Sequence, residues 1–304
     1  MKKVIFCLLF LFPYFIVAQH FIIGKVITNK ASVPYALIIH NKTAFGVYAN
    51  ESGNFKLEIP EKCIKDSVIV SCVGFETKKI AIAEIYEKSF FEISLKEDTQ
   101  ELSTVIVRPK NTKITRLGSN KNITVPTIGV SCWKDSCSRE IQKAIYFPKP
   151  TKEGNYYINK VAYYIGGVGV VTTPFRVRIY KYNDQKQQPD EDLLGTSLVV
   201  SATDKGWFEV DLQKYNLIMP ENGVVVAMEW LLTNEQKYFY MPPFYGKKYK
   251  KKMEQENRTH FGQTIGVYED KKLVSFWFFR LSNKTIWYKQ TEFHPMIRLY
   301  LEGE

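Results

Sequence analysis

Side chains able to do chemistry are sparse in this 304-residue chain. Its four histidines, His20, His40, His260 and His294, are widely spaced, and none belongs to a His-Glu-x-x-His string. No Gly-x-Ser-x-Gly nucleophile turn occurs. Acidic runs are present at Asp190-Glu191-Asp192 and Glu269-Asp270. Glycoside hydrolysis needs two carboxylates placed across a sugar, one of them in an apolar setting. These runs instead lie among loop-forming residues and read as solvated, with Asp190 to Asp192 also suited to a structural calcium ion. The residue types therefore predict no catalytic residue, no cofactor site and no metal site, hence a protein that is not an enzyme. A hydrolase acting on glycans or peptides stays the alternative.

Two other features carry more information. Glu229 interrupts the apolar run from Val224 to Leu232, where an unpaired charge would be costly. By alternation it shares a face with Val225 and Ala227. On a solvent-exposed face it is a rim residue. On an inward face it needs a cation, and Arg176 or Arg178 on a neighbouring strand is the natural partner, which is the reading preferred here. The second feature is a cluster in which Tyr238, Tyr240, Phe244, Tyr245 and Tyr249 are interleaved with Lys247, Lys248, Lys250, Lys251 and Lys252. An aromatic platform with a cationic rim suits a sugar face or an acidic polymer. The competing reading is a solvated loop whose aromatics pack back on the fold.

The elements that must position these groups read as strands. In the first third, 21–27, 35–40, 45–49, 55–59, 67–73, 78–82 and 90–95 are short, β-branched or alternating, and separated by turns. Gly24 reads as a bulge. Asn50-Glu51-Ser52-Gly53-Asn54 is turn chemistry, with Gly53 able to take a positive φ. Seven such strands predict an antiparallel sandwich. The strings Gly24 to Val26, Pro34 to Ala36, Asn50 to Phe55, Ser71 to Phe75 and Leu102 to Val107 occur in order over this region. Together they resemble the carboxypeptidase-regulatory-like domain of exported Bacteroidetes proteins. The resemblance implies a transthyretin-like seven-stranded sandwich without catalytic residues. Asn50 departs from the acidic residue usual in the turn.

From Tyr156 onward, eight or nine further strands are separated by Pro-, Asn- and Gly-containing loops, which suits a jelly-roll-like antiparallel sandwich. Phe175-Arg176-Val177-Arg178-Ile179-Tyr180 alternates strictly. Ser138 to Ile145 is open between a short helix and a strand. Arg176 to Tyr180, Trp207 to Leu212 and Glu229-Trp230 resemble an uncharacterised domain that follows the regulatory-like module in exported proteins. The expected organisation is all-β: a signal peptide at 1–18, a regulatory-like sandwich at 19–97, a linker at 98–125 that is either loose or an extended strand, and a second sandwich at 126–304.

The signal reading rests on Lys2 and Lys3, the apolar stretch from Val4 to Val17 and a cleavage point at Ala18-Gln19. That stretch is short for a membrane span and contains Pro13, and no later segment suits a span. The expected location is therefore the periplasm, the outer-membrane surface or the extracellular space. The net charge is +11, and the excess falls in residues 98–304, with 30 basic and 22 acidic side chains. Expected partners are a carbohydrate, an anionic envelope polymer or an outer-membrane protein, and not nucleic acid. Cys132 and Cys137 either close a local bridge or stay as two thiols. The function read from all this is a non-catalytic envelope or surface protein, with a spacer or docking module ahead of a binding sandwich. A structural subunit of an outer-membrane complex is the second alternative.

Overall fold

The computed structural model describes residues 20–98 except 30 and 44, then 113–119, 127–133, and 140–303 except 152, 243–245 and 282–283. The signal segment, most of the linker, Cys137, Phe244 and Tyr245 lie outside the described residues.

The first unit is a sandwich of two four-stranded sheets. One contains β1 (His20–Thr28), β2 (Ala31–Ser32), β5 (Asn54–Ile59) and β8 (Phe91–Ser94), with β8 parallel to β1. The other runs β4 (Gly46–Tyr48), β3 (Leu37–His40), β6 (Ser67–Ser71), β7 (Lys78–Ala81), all antiparallel. All seven expected strands are present, and two-residue β2 is added. In β5 the alternation holds, with Phe55, Leu57 and Ile59 buried. Gly24 is not a bulge, because the β1 ladder runs through it on both sides. It is needed for close approach, since a Cβ there would lie 2.3 Å from the Phe91 carbonyl oxygen. In the turn, Asn50 Oδ1 accepts from the Ser52 and Asn54 amides at 3.0 and 2.9 Å. An amide oxygen thus does there what a carboxylate oxygen would, and Gly53 takes φ 79°.

The second unit is a larger antiparallel sandwich. Its first sheet runs β10 (Thr127–Trp133), β19 (Arg258–Glu269), β12 (Tyr156–Gly169), β23 (Ile297–Gly303), β9 (Lys113–Gly118). To it are added β16 (Gly206–Asp211) on β12, and β18 (Phe239–Tyr240) and β22 (Phe293–Pro295) on β19. The facing sheet runs β14 (Gln188–Asp192), β13 (Phe175–Asn183), β17 (Val224–Trp230), β11 (Ile141–Phe147), β20 (Ser275–Leu281), β21 (Lys284–Gln290), with β15 (Leu198–Val200) on β13. Within the stretch expected as linker, β9 pairs with β23 along its whole length. Of the stretch from Ser138 to Ile145, residues 141–145 belong to strand β11, which sits centrally between β17 and β20. Asp190 to Asp192 is not a loop. It belongs to edge strand β14, paired with β13.

Alternation places Phe175, Val177 and Ile179 in the core between the two large sheets, with Val224, Val226, Met228 and Trp230 beside them. The same core cluster takes in Tyr35, Leu37, Ile39 and Tyr48 from the first unit. Strand β3 is accordingly buried on both faces: Ile38 points into its own sandwich, and Leu37 and Ile39 point toward the second. Each such fully buried side chain contributes about 1.5–3 kcal/mol. The two sandwiches are therefore packed together as one body across this sheet.

Candidate functional site

Because β13 turns its apolar residues inward, Arg176 and Arg178 must emerge on the opposite face. The β13–β17 register sets Arg176 directly across from Glu229 and Arg178 across from Ala227. Glu229 is 1% exposed. Its Oε1 accepts from Arg176 Nη1 at 2.8 Å, and its Oε2 accepts from Arg178 Nε at 2.6 Å. Both candidate arginines bind it. The first sandwich completes the cluster: the Tyr48 hydroxyl donates to Glu229 Oε1 at 2.8 Å, and Arg176 Nη2 donates to the Tyr35 carbonyl at 2.7 Å. Arg176 Nε reaches Ser197 Oγ, and Arg178 Nη1 reaches Asp192 Oδ2 at 2.7 Å.

Burial pushes the Glu229 carboxyl up, but the two guanidiniums outweigh it and hold the group below the usual carboxylate range. Burial, and then the adjacent Glu229 charge, keep the Tyr48 phenol protonated well above its ordinary value. A carboxylate so fixed neither gives nor takes a proton near neutral pH. The arrangement fastens one sandwich to the other. Two further hydrogen bonds run alongside it, from the Tyr48 backbone amide to the Leu232 carbonyl at 3.3 Å and from the Asn234 side-chain Nδ2 to the Lys56 carbonyl at 2.6 Å.

A cavity of about 180 Å³ opens beside the cluster, lined by Leu37, Ser71 and Cys72 on one side and Glu140, Arg176, Arg178 and Glu229 on the other. A second, of about 220 Å³, lies between Val73, Gly74 and Asp98 and Glu191, Asp192 and Gly195. The turn from Ser71 to Phe75 thus lines the joint. Gly74 takes φ +85°, and a Cβ there would meet the Gly195 carbonyl oxygen at 3.3 Å.

The acids once candidates for calcium are dispersed among separate partners. Asp190 accepts from Asn183 Nδ2, Glu191 from Lys181 Nζ, and Asp192 from Arg178. His294 meets the Ser275 hydroxyl at 3.0 Å through Nδ1, but its Nε2 is held by the Asp270 carbonyl at 2.7 Å, and both side chains are fully buried.

The aromatic and basic cluster divides in two. Tyr238 and Tyr240 are half-buried: Tyr238 meets Phe261 edge-on at 6.0 Å, and Tyr240 tilts over His260 at 5.5 Å. They pack back on β19 instead of presenting a free platform. The lysines do not sit on a loop. They occupy helix α1 (Lys247–Gln255), whose Met253 is buried and which packs on β19. Lys247, Lys248, Lys251 and Lys252 are exposed, and Lys250 is half-buried.

One buried cation escaped the sequence reading. Lys143 on β11 is 3% exposed, with Nζ 3.0 Å from the centre of the Trp277 ring and 3.1 Å from Gln290 Oε1. Burial pushes its pKa down to about 6. Nothing in Ile141-Gln142-Lys143-Ala144 signals this, because the strand had first to be distinguished from a helix.

No helix among the described residues is long and apolar enough to cross a membrane. No curated protein and no solved structure matches the chain. Residues 22–107 match the family model of the CarboxypepD_reg-like domain, in general a non-catalytic module with an immunoglobulin-like fold. The first sandwich, whose Ser71 to Phe75 turn and Tyr48 hydroxyl meet the Arg176–Glu229 cluster, is therefore a CarboxypepD_reg-like domain.

Proposed function

We propose that this chain is an exported, non-catalytic protein of the cell envelope or surface, in which the CarboxypepD_reg-like domain is a docking module and the second sandwich binds an anionic envelope polymer through α1. The observation that carries this reading is the helix itself. Five lysines in nine residues are held in place by one buried methionine, with four of the five turned to solvent. Lys247, Lys248 and Lys250 crowd the positive end of the helix dipole, an arrangement that a bound anion relieves. Export is supported by the Lys2-Lys3 start with its apolar stretch, and by Cys132, which is disulfide-bonded as an oxidising compartment permits.

Retention of the full mature chain on polygalacturonate beads, eluted with a salt gradient, tests the reading. Wild-type protein is expected to bind at low salt and to release as salt rises. Replacing all five lysines by Gln should abolish retention while leaving the fold intact by circular dichroism. Unchanged retention in that variant would discard the helix as the binding element.

A further inference from the structure

We infer that His40, Cys63 and Asp66 form a binding site for a zinc-class divalent cation within the CarboxypepD_reg-like domain. The three residues are separated in sequence and converge through the fold. His40 ends β3, Cys63 ends the short 3-10 turn Glu61–Cys63, and Asp66 immediately precedes β6. Pairing of β3 with β6 sets His40 opposite Val68, and the Asn41 amide donates to the Ser67 carbonyl at 3.0 Å, which closes the strand end onto the turn. One potential ligand atom from each residue lies within 4.8 Å of the other two.

The donor set selects the ion class. One imidazole nitrogen, one thiol sulfur and one carboxylate oxygen suit a borderline cation such as Zn²⁺, whereas Ca²⁺ and Mg²⁺ take oxygen. His40 and Cys63 are buried at 2% and 7% exposure, and the Cys63 thiol is free. His40 Nε2 lies 3.2 Å from Asp66 Oδ2. The other ring nitrogen, Nδ1, is engaged by the Thr43 hydroxyl at 3.0 Å and the Lys42 amide at 3.3 Å. With Nδ1–H donating to the Thr43 hydroxyl, at the expense of the longer Lys42 amide contact, the Nε2 lone pair faces the carboxylate and the thiol, which is how metal-binding histidines are commonly held. The ammonium of Lys42 occupies Asp66 Oδ1, which leaves Oδ2 facing the imidazole. Three protein ligands leave a fourth position for solvent. Bound there, the ion clasps the end of β3 to the connection between β5 and β6.

The full chain, treated with a chelator and desalted, would be titrated with Co²⁺ and then with Zn²⁺ against a chromophoric competitor. One equivalent of Co²⁺ is expected to give a near-ultraviolet thiolate-to-cobalt band that Zn²⁺ displaces. Cys63→Ser, nearly isosteric and so expected to fold, should lose the band, and Cys72→Ser should keep it. His40→Gln and Asp66→Asn should each weaken Zn²⁺ binding by about 100-fold or more, beyond what loss of an outer-shell partner costs. Zn²⁺ should raise the unfolding temperature of the wild type and leave that of Cys63→Ser unmoved. Absence of the thiolate band at one equivalent, or equal Zn²⁺ affinity in wild type and Cys63→Ser, would overturn the assignment.

Discussion

Glu229 and Lys143 are both charged residues on central strands of the same sheet, and both are almost fully buried. Their surroundings differ. Glu229 lies between two guanidiniums and a phenol contributed by the other sandwich. Lys143 has an amide oxygen and an indole face. The first group keeps its charge and joins two domains. The second has no acid among the causes of its shift, and its pKa falls to about 6. Burial of charge is thus tolerated in two ways, by supplying counter-charge or by surrendering the proton.

Glu229→Ala should be the most damaging single change. It leaves Arg176 and Arg178 facing each other in a buried site, and breaking such a pair costs about 3–5 kcal/mol. Chemical denaturation should show this as a lower midpoint. Lys143→Met should act in the opposite direction. Between pH 6 and the ordinary lysine pKa the unfolded chain binds a proton that the folded chain does not, so stability rises with pH through that window. Removing the amine should flatten that slope and stabilise the protein at pH 7 by about 1–3 kcal/mol. Melting temperatures from pH 6 to 10 for both proteins would reveal it, and parallel curves would contradict the lowered pKa.

Tyr48→Phe removes one hydrogen bond to the carboxylate but leaves both arginines in place. A loss of about 1.5–2 kcal/mol is expected, at the low end of the range for a bond to a charged group. A double-mutant cycle with Glu229→Gln should return most of it as coupling. The smallest effect on stability belongs to the lysines of α1, where substitution by Gln should stay within about 0.5 kcal/mol. Only polymer retention should change.

The joint was partly legible in the sequence. A lone Glu in an apolar run demands a cation, and strict alternation in Phe175 to Tyr180 leaves two arginines on the face away from the core. What could not be read was Tyr48. No local pattern in Gly46-Val47-Tyr48 says that a second sandwich will cover the outer face of its sheet. Strand β14 was hidden because Gln188-Pro189-Asp190-Glu191-Asp192 is polar at nearly every position, as an edge strand can be when its partner supplies cations. Helix α1 was hidden for a similar reason. Only Tyr249 and Met253, four residues apart, mark its inner side, and the lysines around them mask the period. His40, Cys63 and Asp66 carry no spacing signature, because pairing of β3 with β6 is what assembles them. The Cys-x-x-Asp step from 63 to 66 was the only local hint.

The central claim is that the CarboxypepD_reg-like domain and the second sandwich are locked into one cooperative body through Glu229. Differential scanning calorimetry of the full chain tests it most directly. The account predicts a single transition for the wild type, with calorimetric and van't Hoff enthalpies in agreement, and two separated transitions for Glu229→Ala. Two independent transitions already present in the wild type, unchanged in position by the substitution, would contradict it.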